Sequence, residues 1–351
     1  MLALDLLVVA TMLLALAIAT RQLILTWGVY RATMPPYEDG DAATARAGLH
    51  PPAGPPVASP ASPDSGDACE RSLPMTAVII AAHNEERVIA GCLEAMLALS
   101  YPSEKLSIIV VNDRSRDGTA VIVDAYAARD PRIRSIHRPP DARPGKSAAI
   151  ADAMGMIRAE VVVLFDADYL PAPHLLKQLV TPFADPSVGA TMGRVVPINA
   201  DTNMLTRLLD LERRAGYAID QHARSIFQLV PQFGGTVGGI RMSALESVGG
   251  WTEGHLTEDT DLTFRLVLGG WRVSYLNEAR CYEEVPEDWV SRFKQVRRWS
   301  YGHNDCMLTY FWQVLWSPRL GLGQRLDALL ILLFYLLPAL AAASTIALLV
   351  L

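Results

Sequence analysis

The stretch VVVLFDADYLP, residues 161–171, runs from an apolar block straight into two acids one residue apart, Asp166 and Asp168. Burying one lone carboxylate is costly, and two neighbouring ones raise each other's pKa. A positive partner is therefore expected beside them. Two carboxylates at a strand end suit a hard divalent cation with oxygen ligands, Mg²⁺ or Mn²⁺, shared with substrate phosphates. Read alone, the pair is equally a helix-capping Asp beside a solvated one, so its neighbours decide.

Working outward, β-branched runs alternate with helical patterns. MTAVIIAA precedes NEERVIAGCLEAMLAL, LSIIVVN precedes GTAVIVDAYAA, and IRSIH precedes KSAAIADAMGMI, before VVVLF itself. Strand–helix alternation of this kind builds βαβ units and a parallel sheet covered on both faces, an α/β fold. Ligands of such sheets lie outside the carboxyl ends of the strands. Asn84 and Glu85, Asn112 and Asp113, and Asp166 and Asp168 all fall at such ends. The second half is less regular. NMLTRLLDLERRAGYAIDQHA predicts a long helix with Met204, Leu208, Leu211, Ala215 and Ala218 on one stripe. A Gly-rich stretch and a strand-like RVSYL follow, and then DWVSRFKQVRRWSYGHNDC reads as helix.

The ends of the 351-residue chain carry its hydropathy, with 51% hydrophobic residues overall. Leu6 to Thr20 is uncharged, and no Lys or Arg precedes Arg21. A signal peptide expects a basic start, so a retained membrane anchor is the reading. Ala328 to Leu351 is also uncharged and reads as a second span, with Pro338 tolerable inside it. Arg21, Arg31, Arg319 and Arg325 flank the spans on their inner sides, which places the intervening chain in the cytoplasm of a bacterial-type inner membrane. CMLTYFWQVLWSP sets Leu308, Phe311, Trp312 and Leu315 on one side, as for a helix lying in the membrane interface; a buried core helix is the alternative. Pro, Ala and Ser dominate residues 33–73, which predicts a disordered linker. The expected organisation is an anchor over 1–30, linker over 31–73, catalytic domain over 74–305, interfacial helix over 306–326 and second span over 327–351, unless the chain continues beyond it. The net charge of −6 argues against a nucleic-acid partner. Four scattered cysteines without a C-x-x-C pair argue against a disulfide framework or a zinc site.

Several motifs carry chemistry. In VNDRSRDGTA, the chain turns from a strand into a helix whose N-terminus can face phosphate or sugar oxygens, although a plain Asp-Gly turn with Asp117 as cap reads equally well. RPGKSAAI lacks the first glycine of a P-loop, because Pro140 occupies that position; Lys146 can still meet a diphosphate. HLTEDTDLTFRL holds Glu258, Asp259 and Asp261 near a helix start capped by Thr257, where an acid can act as general base. KQVRRW sets Gln295, Arg298 and Trp299 on neighbouring helix positions. Arg298 can clamp phosphate oxygens and Trp299 offers a face for a sugar, while Lys294 and Arg297 suit anionic lipid headgroups.

In order and spacing, AAHNEE, NDRSRDGT, GKSAAI, FDAD, FGGTVGGIR, TED and QVRRW resemble the motif set of membrane-bound family 2 glycosyltransferases, relatives of cellulose, chitin, hyaluronan and poly-N-acetylglucosamine synthases. The resemblance covers about residues 74–316, and the TED and Q-x-x-R-W pair is its specific part. It implies a GT-A fold, Rossmann-like in its nucleotide-binding half, flanked by transmembrane helices. It implies donor contacts at Glu85, Asp113, Lys146, Asp166, Gln295 and Arg298. Glu85 and Asp113 match positions that hold uridine, and Asp166 and Asp168 match the metal-binding pair. Asp259 matches the general base; Gly235, Thr236, Glu258 and Trp299 fall on the acceptor side.

The implied reaction is inverting, from UDP-glucose or UDP-N-acetylglucosamine to a growing β-linked polysaccharide, with a glycolipid product as the alternative. Phe233 and Thr236 flank Gly234 and Gly235 where cellulose synthases carry a Phe-Cys-Gly-Thr-type motif, a departure from that branch. Two spans do not enclose a polymer path. Either more chain follows, a membrane partner or second copy supplies the channel, or the product is a short glycolipid. A non-catalytic membrane receptor or secretion component keeping the fold is a rival, opposed by intact acids at every motif. A nucleotidyltransferase is another, but it has no place for Q-x-x-R-W.

Overall fold

A computed structural model describes residues 2–32 and 72–350. The linker expected over 31–73 lies almost wholly outside the described residues, as does Cys69. Eight strands form one sheet in the order β3-β2-β1-β4-β7-β6-β8-β5. They are β1 Thr76–Ala82, β2 Leu106–Asn112, β3 Ile133–His137, β4 Val161–Asp166, β5 Leu170–Pro171, β6 Val188–Pro197, β7 Gly238–Arg241 and β8 Arg272–Glu283. The pairs β1–β2, β1–β4, β2–β3 and β6–β8 are parallel; β4–β7, β6–β7 and β5–β8 are antiparallel. The expected parallel sheet therefore occupies the N-terminal half, and a mixed half completes it. The strand expected at RVSYL is longer than its apolar core, spanning Arg272–Glu283.

The helices are α1 Leu2–Arg31, α2 Ile89–Leu97, α3 Thr119–Arg129, α4 Lys146–Met154, α5 Leu175–Val180, α6 Met204–Arg213, α7 His222–Ile226, α8 Met242–Ser247, α9 Glu258–Gly269, α10 Trp289–Leu315, α11 Leu322–Leu333 and α12 Leu337–Val350. Successive side chains of a strand point to opposite faces. Val78, Ile80, Val161, Val163 and Phe165 thus pack against α2 and α5 through Ile89, Leu93, Met96, Leu175 and Leu176. Ile79, Val162 and Leu164 enter the other core with Ala149 and Ile150 of α4, Leu262 and Leu266 of α9, and Tyr310 and Val314 of α10. This two-faced burial explains why the strands read as continuous apolar runs.

Four local outcomes differ from expectation. The helix expected from Asn84 begins at Ile89, because Asn84 takes φ 59° and residues 84–88 form the loop after β1. The expected stripe divides: Met204, Leu208, Leu211 and Ala215 face outward and Ala218 is buried, as are Leu205 and Leu209 beside it. A π-helical segment, Arg214–Gln221, joins α6 to α7. Such segments shift the side-chain register partway along a helix. Finally, α10 runs unbroken across residues 305 and 306, where a boundary was expected. The only glycine inside it, Gly302, is held against Thr257. Leu308 and Trp312 of the expected interfacial side are exposed, while Cys306, Tyr310 and Val314 are buried on the opposite side.

Two helical stretches are long and apolar enough to cross a membrane, Leu6–Arg31 and Leu322–Ile346. The second contains a 3₁₀ turn, Phe334–Leu336, just before Pro338, whose ring cannot follow a regular helical turn. The stretches touch through the Thr11 and Ser344 hydroxyls, 2.9 Å apart. Arg21 of α1 donates to Asp220 of the π segment at 2.8 Å and to Asp327 of α11 at 2.6 Å. Arg224 of α7 pairs with the same Asp220. Arg21 thus ties three elements together as well as marking the inner end of an apolar run.

Candidate active site

The registers of the parallel strands build the site. Ala82 of β1 pairs with Asn112 of β2, and Ala81 with Asp166 of β4. The three carboxyl ends are therefore level, and the residues that follow them surround one cleft of about 640 Å³. Glu85, Asp113, Lys146, Asp166, Asp168, Gly235, Thr236, Glu258, Asp259, Gln295, Arg298 and Trp299 all line it.

At the end of the cleft beside β2, Asp113 is buried and its carboxylate is fully engaged. Oδ1 accepts from Arg114 Nε and Arg138 Nη1, each at 2.8 Å, and Oδ2 from the Gly145 amide at 2.9 Å. Burial pushes this carboxyl up, but the bonds from Arg114, Gly145 and Arg138 outweigh it and hold it below the usual range. Asp113 therefore anchors the loop leading into α4. Gly145 opens that helix at φ 115°, a conformation that side chains other than glycine rarely take. Asp117 accepts from the Thr119 amide at 3.1 Å, but the cap position of α3 is Gly118, so the expected capping by Asp117 is not formed. Burial, with Asp166 and Asp117 nearby, raises Glu85.

The positive partner demanded by the two acids after β4 is Lys146, whose Nζ pairs with Asp166 and also donates to the Gly235 carbonyl at 3.2 Å. Burial opposes its charge, yet Asp166, Glu258 and Asp259 together keep its pKa above the ordinary lysine value. Among the described residues, Asp168 has no such partner. Burial and the charges of Asp166 and Glu283 push it up to about 7. That surplus of negative charge on oxygen ligands fits a divalent cation. Among the described residues no cluster of three or more His, Cys, Asp or Glu side chains could hold a metal. The fit is thus to an ion that takes few protein carboxylates and completes its shell with water and substrate phosphate.

Across the cleft, Gly235 takes φ 70°, and a Cβ there would lie 3.1 Å from Asp259 Cβ. Bare backbone at Gly235 lets the turn press against the TED acid. Thr236 Oγ1 is buried without a hydrogen-bond partner. Burial and the Asp259 charge push Glu258 up to about 7. Thr257 precedes α9 but does not cap it through its side chain; its hydroxyl meets Cys306 Sγ of α10 at 3.7 Å instead. Asp261 turns away from the cleft to Arg265 and the Tyr310 hydroxyl. Two guanidinium groups approach the Trp299 ring, Arg292 at 5.0 Å and Arg213 at 5.8 Å from its centroid. Gln295 accepts from Arg292 at 2.7 Å.

Several lining residues lack a clear signal in the sequence. Glu283, at the end of β8, accepts from the Tyr169 hydroxyl and from Arg213 Nε, each at 2.6 Å. An acid closing a strand was its one available sign. Tyr217 comes from the π segment, His303 from α10 and Tyr335 from the C-terminal apolar stretch. None belongs to a motif.

Comparison with known proteins follows the same outline. A family model described as glycosyltransferase like family 2 matches residues 74–302. The chain is 35% identical over 245 residues to the probable glycosyltransferase YdaM of Bacillus subtilis (strain 168), covering 69% of this chain and 58% of that one. It is 32% identical over 281 residues to the beta-monoglucosyldiacylglycerol synthase of Synechocystis sp. (strain ATCC 27184 / PCC 6803 / Kazusa), covering 79% and 58%. Among solved structures, the mannosyltransferase PcManGT from Pyrobaculum calidifontis, in complex with GDP-Man and Mn²⁺, superposes with a TM-score of 0.66 at 22% identity, covering 97% of this chain and 86% of that one. This last likeness is one of fold. The chain spans 58% of the length of each of these two curated relatives.

Proposed function

Since the chain belongs to glycosyltransferase-like family 2 and has its GT-A fold, we propose that it moves a hexose from a UDP-sugar to a hydroxyl of a membrane lipid of the diacylglycerol class, with inversion at the anomeric carbon. One observation carries this reading. The cleft that gathers the D-x-D, TED and Q-x-x-R-W residues is walled in part by Tyr335, which belongs to an apolar stretch long enough to cross a membrane. An acceptor in the membrane plane thus has a route to Asp259. The relative from Synechocystis, a beta-monoglucosyldiacylglycerol synthase by name, supports the lipid over the polysaccharide expected from the motif set.

In this reading Asp259 accepts the proton of the acceptor hydroxyl as its oxygen bonds to the sugar's anomeric carbon. The bond from that carbon to the diphosphate breaks on the opposite side. Arg298, exposed in the cleft, offsets charge on the leaving diphosphate, and Lys146 can turn from Asp166 to the same oxygens. Asp166 and Asp168 would hold Mg²⁺ or Mn²⁺, which would supply positive charge against the leaving diphosphate. Glu85 and Asp113 line the nucleoside end, Asp113 by fixing the loop before α4. Gly235 and Thr236 shape the acceptor turn beside Asp259, and Glu258 and Trp299 border the same space. The apolar stretches support a location in a bacterial-type inner membrane, and the flanking arginines support a catalytic domain on the cytoplasmic side, where nucleotide sugars are made.

The test is UDP release and product analysis with the full chain in lipid nanodiscs. UDP-glucose, UDP-N-acetylglucosamine and other UDP-sugars are offered with Mn²⁺, Mg²⁺ or chelator, and with dioleoylglycerol or an oligosaccharide primer. Metal-dependent release from one donor, a glycosylated lipid as product, and loss of both in Asp168→Asn are expected. Extension of the primer into a long chain would instead restore the polysaccharide reading. Absence of release from every donor would overturn the transferase reading.

A further inference from the structure

Helix α10 continues well past the Q-x-x-R-W stretch. Gln295, Trp299 and His303 are spaced by four residues, share one face and all line the cleft. The backbone at Gly302 lies against the TED segment: a Cβ there would meet Thr257 Oγ1 and Cγ2 at 2.5 Å. The contacts of Cys306 with Thr257 and of Tyr310 with Asp261 continue that seam. His303 is thus held next to the TED segment, within reach of the Asp259 charge. Its ring stacks on Tyr335, with centroids 4.6 Å apart and planes at 23°.

The two ring nitrogens differ. Nδ1 is buried and has no hydrogen-bond partner. An N–H trapped there would forfeit a bond to water, whereas a bare lone pair forfeits less, so the proton of the neutral ring belongs on Nε2. Burial favours that neutral ring, with the Asp259 charge acting the other way. Nε2 is not among the buried unpartnered atoms and bonds no described residue. It is the polar atom of the ring left free to meet a ligand.

We propose that His303 is an acceptor-binding residue: its Nε2–H donates to an oxygen of the incoming acceptor and holds the attacking hydroxyl against Asp259, while Tyr335 fixes the ring plane. This inference rests on the transferase reading. It differs from a packing role in one respect: packing needs the ring, and acceptor binding needs the nitrogen.

The experiment compares wild type, His303→Phe and His303→Gln as full chains in nanodiscs. Two rates are followed with the best donor: UDP release without acceptor, and transfer to dioleoylglycerol over a range of its concentrations. Phenylalanine keeps the stack on Tyr335 and removes the donor. It should raise the acceptor KM about tenfold, as for one lost hydrogen bond, and leave acceptor-free release and the donor KM unchanged. Glutamine, which can offer an N–H in the same region, should recover most of the loss and decides alone if the Phe variant does not fold. A wild-type acceptor KM in His303→Phe would overturn the proposal. So would acceptor-free release falling in step with transfer, the mark of a packing support for the whole site. Wild type that releases UDP but makes no lipid product would fail the lipid reading instead. The same three proteins are then compared on the oligosaccharide primer, where the same split supports the role of His303 and its absence ends it.

Discussion

At the scale of single residues, the site turns on how close like charges are allowed to stand. Glu258 and Asp259 are adjacent, and Lys146 and Arg298 are the cations that temper them. Asp259→Asn keeps the shape and removes the proposed base. Transfer should fall by roughly 10²–10⁴-fold with an unchanged melting curve, and full activity would refute the assignment. Gly235→Ala should also harm activity more than stability. Its φ of 70° costs a side chain roughly 1–2 kcal/mol, while the new methyl group displaces the Asp259 carboxylate. Parallel melting and turnover measurements separate the two effects. Glu258 yields a pH prediction. Its folded-state value of about 7 lies above its ordinary 4.5. The stability it lends is therefore complete below about 4.5 and is lost as pH rises through about 7. Glu258→Gln should flatten the fall of Tm between those values in ligand-free protein. An unchanged slope would show that another group carries it.

At the scale of elements, one charge quartet holds the first apolar helix to the catalytic domain. Arg21, Asp220, Arg224 and Asp327 are mostly buried, with side-chain exposures of 14, 18, 6 and 4%. They belong to α1, the π segment, α7 and α11. Removing one member of such a group strands a buried charge, at roughly 3–5 kcal/mol. Arg21→Met should therefore loosen α1 and expose the chain to protease in nanodiscs. The double variant Arg21→Met/Asp327→Leu should recover much of the loss, because Asp220 keeps Arg224. Equal losses in the single and double variants would exclude the quartet as the clamp. The π segment inside it also turns Gly216 and Tyr217 into the cleft. Its periodicity reads as plain α-helix in the sequence, which is why the sequence puts Ala215 and Ala218 on one stripe with Met204, Leu208 and Leu211.

At the scale of the whole molecule, the parallel half of the sheet, its mixed half and the C-terminal apolar stretch meet around one cleft, and the first apolar helix is tied on through Arg21. Mn²⁺ with UDP binds only the folded protein in this scheme. At a hundredfold excess over Kd it should stabilise the protein by about 2.7 kcal/mol. Asp168→Asn should abolish the gain from the metal, as read by melting with and without chelator. A gain that persists in the variant would place the ion elsewhere. Protease added to inside-out vesicles should cut the catalytic domain, and protection there would reverse the proposed orientation.

Much of this was legible in the chain. The runs ending at Ala82, Asn112 and Asp166 declare parallel strands, because both faces of each are buried, and ligand-bearing rims follow from that topology. Motif spacing also marked Asp259, Lys146 and Arg298. The identity of the group opposing Asp166 was not legible, since Lys146 reaches it across the sheet rim rather than along the chain. Glu283, Tyr217, His303 and Tyr335 were likewise invisible as site residues. Local pattern reports which face of an element is apolar; which distant elements share a cleft depends on packing. Here that was decided by bare backbone at Gly235 and Gly302, which lets the Gly235 turn and α10 close on the TED segment. It was decided as well by buried charges at Arg21, Asp220 and Asp327, which are tolerable only when brought together.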